Sequence, residues 1–99
     1  MAQLQGRVIG DISAVAIREV AERYGATRVR VFGSFARGDN RPGSDLDLLI
    51  ELQPGRSLLD LVAIKQDLED LLGLRVDVVT ERSISPYMRD AVFKEAVAL

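Results

Sequence analysis

The sequence contains no cysteine and no histidine. The first absence removes disulfides, thiolate metal sites and cysteine nucleophiles. The second removes histidine-based triads and imidazole ligands, which leaves carboxylates as the only strong metal-binding groups. A cation held by this chain is therefore expected to be hard, magnesium or manganese, on oxygen ligands. A large charge excess is also missing: 13 Lys and Arg stand against 15 Asp and Glu, a formal net charge of −2. Direct nucleic-acid binding, which usually shows as a basic domain or stripe, is not expected, although single arginines can still bind phosphate. No apolar run approaches the roughly 20 residues of a membrane span. Met1 to Arg7 lacks the apolar centre of a signal peptide, so no membrane association and a cytoplasmic location are expected. No repeat or low-complexity segment is present.

What remains is ordinary globular material, 47% hydrophobic and 28% charged over 99 residues, read as a single domain spanning 1–99. Such a chain buries about 60 to 65% of its unfolded surface, so its core is modest. From about Asp11 to Tyr24 the apolar residues Ile12, Val15, Ala16, Val20 and Tyr24 follow helical spacing, and Gly25 stops them. Arg28–Phe32 alternates as a strand with Val29 and Val31 inward. The polar stretch from Arg37 to Ser44 reads as a loop, or a short helical turn followed by a loop. A second strand runs from about Asp45 to Leu52. Ser57 and Asp60 then open a helix closed by Gly73, with Leu58, Leu61, Lys65, Leu68 and Leu72 on one stripe thickened by Val62, Ile64 and Leu71. Leu74–Thr80 is a third strand, with Val76 and Val78 on one face and Asp77 on the other. Ser85-Pro86 starts a last helix carrying Met88, Val92 and Phe93, and Ala96–Leu99 extends it, forms an edge strand or serves an interface. The expected fold is α/β (α+β), a small mixed sheet of three to four strands flanked by helices.

The chemistry concentrates in Gly33-Ser34 and Asp45-Leu46-Asp47. Strand alternation points Asp45 and Asp47 the same way and Leu46, Leu48 and Ile50 the other. Asp77 joins them in one acidic cluster if the second and third strands are neighbours, and a divalent cation would keep all three ionised. A glycine lets the backbone approach a ligand, and turn N–H groups with a small hydroxyl can cradle phosphate oxygens. This is not a Walker A loop, because Asp39-Asn40 stands where Lys and Ser or Thr are required. Arg37 and Arg41 are placed to neutralise polyphosphate charge, and Ser44 closes their loop. Lys65 is read as snorkelling from the helix stripe rather than as a ligand. Glu51 lies about 13 Å along the strand from Asp47, too far for the same metal. Tyr24 is read as core.

Gly33-Ser34, ten residues, Asp45-Leu46-Asp47, and a later strand Val76-Asp77-Val78-Val79 closely resemble the nucleotidyltransferase superfamily that includes DNA polymerase β. Within it the chain is similar to the minimal nucleotidyltransferase group, often antitoxin partners of HEPN-domain proteins, and the resemblance covers nearly the whole chain. It implies the polymerase β-like fold, ATP as substrate, two magnesium ions, and transfer of AMP to a tyrosine of a HEPN-type toxin. By position, Gly33 and Ser34 would hold the triphosphate, with Arg37, Arg41 and Ser44 as further nucleotide-binding candidates. Asp45 and Asp47 would bind the metal, and Asp77 would be the third carboxylate that helps activate the acceptor hydroxyl. Larger relatives carry an additional acceptor domain, so the acceptor site is expected from a partner. Two other readings stay open: an antitoxin that acts by occlusion through Val92, Phe93, Val97 and Leu99, and transfer to a small molecule or RNA.

Overall fold

The computed structural model describes residues 8–9 and 12–99. Two short strands, β1 (Val8–Ile9) and β2 (Ile12–Ser13), pair with each other before helix α1 (Ala14–Arg23). Then follow β3 (Ala26–Phe32), a single-turn helix α2 (Ser34–Arg37), β4 (Leu46–Leu52) and α3 (Leu58–Leu72). β5 (Val76–Val79), a 3-10 turn (Glu81–Ser83), α4 (Pro86–Glu95) and β6 (Val97–Ala98) complete the chain. The main sheet has the order β5-β4-β3-β6, with β4 and β5 parallel and the other pairs antiparallel. The chain belongs to the mixed α/β class with a four-stranded sheet, as the alternating segments predict.

Period-two alternation divides the sheet into two covered faces. Val29, Val31, Leu46, Leu48, Ile50 and Val76 turn toward α1 and α3, where they meet Ile17, Val20, Ile64 and Leu68. Leu46, Leu48 and Ile50 are fully buried, each contributing about 1.5–3 kcal/mol relative to an exposed side chain. On the other face Leu49 packs with Ile84 and Val92 beneath α4, flanked by Phe32 and Val79. Asp47 and Asp77 share this second face, at the end of the strands where the Gly33 turn lies.

Helix α1 begins later than the spacing suggested, at Ala14 with Ser13 as its N-cap, and Ile12 belongs to β2 while Asp11 lies outside the described residues. Its buried face is Ala14, Ile17, Val20 and Ala21, one step off the predicted stripe. Val15 and Ala16 lie at its margin, half-buried. Tyr24 is packed against the core, as predicted, and its hydroxyl donates to Asp67 Oδ2 at 2.5 Å.

Helix α3 is fixed at both ends. Ser57 and Asp60 form a reciprocal capping box, and Gly73 closes the helix at φ 69°, a left-handed conformation open to glycine. Its core stripe is narrower than predicted: Leu61, Ile64, Leu68 and Leu72 pack inward, whereas Leu58 (76%), Val62 (57%) and Leu71 (57%) are exposed. A helix resting on one sheet can bury only a stripe about 100° wide. Lys65 is structural, though not by snorkelling. Its Nζ donates to the Val76 carbonyl at 2.7 Å and pairs with Glu69, which accepts from the Val76 N–H at 3.0 Å. The pair thus satisfies outward-facing backbone groups of edge strand β5 and blocks further strand pairing there.

The C-terminal residues become the opposite edge strand, with Val97 opposite Val31 and Ala98 opposite Arg30. Val92 and Leu99 are buried, and Val97 is packed against the core. The apolar residues of the occlusion reading are therefore largely core, with Phe93 the exposed member.

Candidate active site

The site grows out of one backbone decision at the end of β3. Gly33 adopts φ 75°, ψ −155°, a region essentially reserved for glycine, and turns the chain into α2. The helical turn thus occupies Ser34–Arg37 rather than the predicted position between Arg37 and Ser44. A second constraint acts on the same residue: a Cβ at Gly33 would collide with Asp47 Oδ2. The turn requires glycine, and a Cβ there would also force the Asp47 carboxylate to move.

Strand register does the rest. Phe32 lies opposite Asp47 on one side, and Asp77 lies opposite Asp47 on the other. The two carboxylates predicted from separate strands are therefore neighbours. They lie next to a cavity of about 600 Å³ whose lining includes Gly33, Ser34, Arg37, Ser44, Asp45 and Asp47. Helix α4 supplies the opposite wall through Met88, Ala91, Val92 and Glu95. Asp77 stands beside Asp47 on the neighbouring strand, exposed, and does not line the cavity itself.

Burial, with repulsion from Asp77 and Asp45, a hydrogen bond shared with Asp77 and the charge of Glu95, pushes Asp47 from 3.8 up to about 6. The donors are all carboxylate oxygens, which suits a hard divalent ion. Among the described residues no three acids close into a complete metal-binding cluster. Magnesium usually retains waters and takes further oxygens from substrate phosphates, so it would not need a third protein carboxylate beside Asp45 and Asp47.

The arginines separate. Arg37 reaches the cavity, but its Nη1 pairs with Glu95 at 2.8 Å and its Nε with Asp39 at 3.2 Å. Arg41 lines a different hollow beside Phe35 and Leu74, so it is not brought to the carboxylates. Its backbone N–H donates to Ser44 Oγ at 2.8 Å, which commits the Ser44 hydroxyl to the loop. Glu51 is remote, paired with Arg28 and Arg30.

Glu95 is the residue that sequence reasoning missed. Its Oε1 accepts from the Gly33 N–H at 2.6 Å while Oε2 holds Arg37. The available signal was a glutamate at the last position of a helix, the end where negative charge is disfavoured.

Residues 14–99 match the family model described as the nucleotidyltransferase domain. The chain belongs to this nucleotidyltransferase family. It is 37% identical over 97 residues, 98% of both chains, to the protein adenylyltransferase MntA of Thermococcus cleftensis. It is also 47% identical over 75 residues to MJ0435 of Methanocaldococcus jannaschii, a relative likewise named for protein adenylyl transfer, covering 76% of this chain and 81% of that protein. Among solved structures, a minimal nucleotidyltransferase superposes with a TM-score of 0.77 at 52% identity, covering 86% of this chain and 87% of the other. A toxin–antitoxin structure with AMP-PNP shares the fold, with a TM-score of 0.71 at 21% identity over 83% of this chain and 68% of that one. The nucleotidyltransferase fold and enzyme class inferred from Gly33-Ser34, Asp45-x-Asp47 and Asp77 are thus those of the family. Among the described residues no helix is long and apolar enough to cross a membrane.

Proposed function

We propose that this nucleotidyltransferase transfers AMP from ATP to a hydroxyl, a tyrosine in the first instance, of a HEPN-type toxin, and so acts as the antitoxin in the cytoplasm. The observation that carries the reading is the facing pair Asp47 and Asp77, with Asp45 beside them, next to a cavity floored by the Gly33-Ser34 turn. The names of the relatives MntA and MJ0435 support a protein acceptor.

In this mechanism Gly33 and Ser34 receive the triphosphate, and Arg37 and Ser44 flank it. Arg41 is a weaker candidate, because it lines another hollow. Asp45 and Asp47, with Asp77 beside Asp47, would hold magnesium. The metal would neutralise phosphate charge and lower the cost of forming the new bond. Asp77, solvent-exposed next to Asp47, would take the proton of an acceptor hydroxyl approaching from the solvent side as its oxygen bonds to the α-phosphorus. The bond from that phosphorus to the bridging β-phosphate oxygen breaks, and pyrophosphate leaves with the electron pair. Binding the nucleotide between turn and carboxylates aligns the attack, the main contribution a protein makes to phosphoryl chemistry.

Pyrophosphate release tests the reading. Wild-type protein with ATP, magnesium and its toxin should release pyrophosphate, and Asp45→Asn and Asp47→Asn should not. Release with RNA or a small hydroxyl compound in place of the toxin would move the acceptor to those classes. Full protection of cells by the Asp45→Asn, Asp47→Asn double variant would instead favour the occlusion reading, whose proposed surface is mostly core.

A further inference from the structure

Glu95 holds two of the groups that a polyphosphate would need. Its carboxylate takes the Gly33 backbone N–H at 2.6 Å and the Arg37 guanidinium at 2.8 Å, one through each oxygen. The Arg37 distance is in the range of a charge-assisted hydrogen bond, and the Gly33 contact is shorter still. A phosphate oxygen offers the same chemistry as a carboxylate oxygen, and neither donor can serve both fully at once.

The position is not one a glutamate prefers. Glu95 ends α4, where the helix dipole opposes negative charge, and it faces the same cavity as Asp45 and Asp47. Its attachment to Gly33 and Arg37 is what offsets those two repulsions. Its side chain is 26% exposed and lines the cavity, so it already meets solvent where a polyphosphate would enter. A polyanion entering beside it would add a third repulsion, and the balance would turn against the seated carboxylate.

We infer that Glu95 is a displaceable internal anion, occupying the phosphate-receiving donors of the site and leaving them when a nucleotide polyphosphate binds. The inference rests on the nucleotide reading above and adds a residue that sets nucleotide affinity. Seated, Glu95 keeps Arg37 and the Gly33 turn preorganised; displaced, it hands both to the substrate. Affinity then reflects competition between the two anions, and removing the internal charge should tighten binding.

Isothermal titration with magnesium and AMP-PNP, and separately with inorganic tripolyphosphate, tests this on the whole chain. Glu95→Gln keeps an acceptor for the Gly33 N–H but loses the charge, and it should bind both ligands about tenfold more tightly than wild type, the scale expected for one partly screened charge. Binding by both proteins with equal or weaker affinity in Glu95→Gln overturns the displacement and leaves nucleotide binding standing. No binding of either ligand by either protein overturns the nucleotide reading itself. Should the variant not fold, the unaltered chain crystallised with AMP-PNP decides: a phosphate oxygen on the Gly33 N–H or Arg37 with Glu95 turned away supports the inference, and a carboxylate still seated on both overturns it.

Discussion

Replacing Asp47 with Asn should make the metal-free protein more stable at neutral pH while destroying its activity. The folded protein holds the Asp47 carboxyl at about 6 against 3.8 for an ordinary aspartate. Because the folded value is the higher one, the protonated side chain contributes stability that is fully present below about pH 4 and is lost as pH rises through about 6. Above that window the ionised carboxylate is strained against burial, Asp77 and Asp45. At about 1.4 kcal/mol per pH unit the ceiling is about 3 kcal/mol. Asp47 is partly open to the cavity, so screening reduces the expected effect to about 1 kcal/mol. In a domain of this size that is about 4–8 °C in Tm. Asn is nearly isosteric, so it adds no collision at Gly33. Thermal and urea melts in EDTA at about pH 4 and about pH 7.5 measure the difference; the gain should appear at the higher pH and shrink at the lower. An Asp47→Asn protein that is no more stable at neutral pH, or whose gain is independent of pH, would refute the strain assigned to this carboxylate.

Magnesium with AMP-PNP should raise the wild-type Tm, and the rise should be lost in Asp45→Asn and Asp47→Asn; an equal rise in all three would place the ion elsewhere. Gly33→Ala should cost about 1–3 kcal/mol from its backbone conformation alone, and more because the new Cβ meets Asp47, with activity lost even where the protein still folds. Ser57→Ala removes one half of the capping box and should cost about 1 kcal/mol in a urea melt without changing catalysis. Lys65→Met should lower Tm and increase self-association in light scattering, because the Val76 carbonyl on edge strand β5 loses its cover.

The parts of the fold legible in the sequence were those carried by short-range periodicity. Leu46, Leu48 and Ile50 alternate with Asp45 and Asp47 over a run long enough to show which face is buried, and Ser57, Gly73 and Ser85-Pro86 are strong local end signals. Helix α2 was harder to place, since four residues are too few to display a helical period. In α1 the neighbouring small residues Ala14, Val15 and Ala16 leave the phase ambiguous by one position. The exposed Leu58, Val62 and Leu71 mislead for another reason: hydrophobicity alone does not reveal how wide a helix face its neighbours can cover.

For the site, residue types and spacing pointed to Asp45, Asp47 and Asp77, but only strand register sets Asp77 directly opposite Asp47. The necessity of Gly33 was half visible. The turn was legible, whereas the carboxylate packed against it depends on a contact between strands. Glu95 was hidden because its partner Gly33 is 62 residues away in the chain, and no local pattern joins them. Arg37 and Arg41 look equivalent in the loop sequence, yet the turn at Gly33 brings only Arg37 to the cavity.

The most direct test of the central claim is intact mass spectrometry of the toxin after incubation with this nucleotidyltransferase, ATP and magnesium. The toxin should gain one or more AMP moieties, mapped to a hydroxyl side chain, with wild type and none with Asp45→Asn or Asp47→Asn. An unchanged toxin mass in an intact complex with the wild-type protein, under conditions where it binds magnesium and nucleotide, would contradict it.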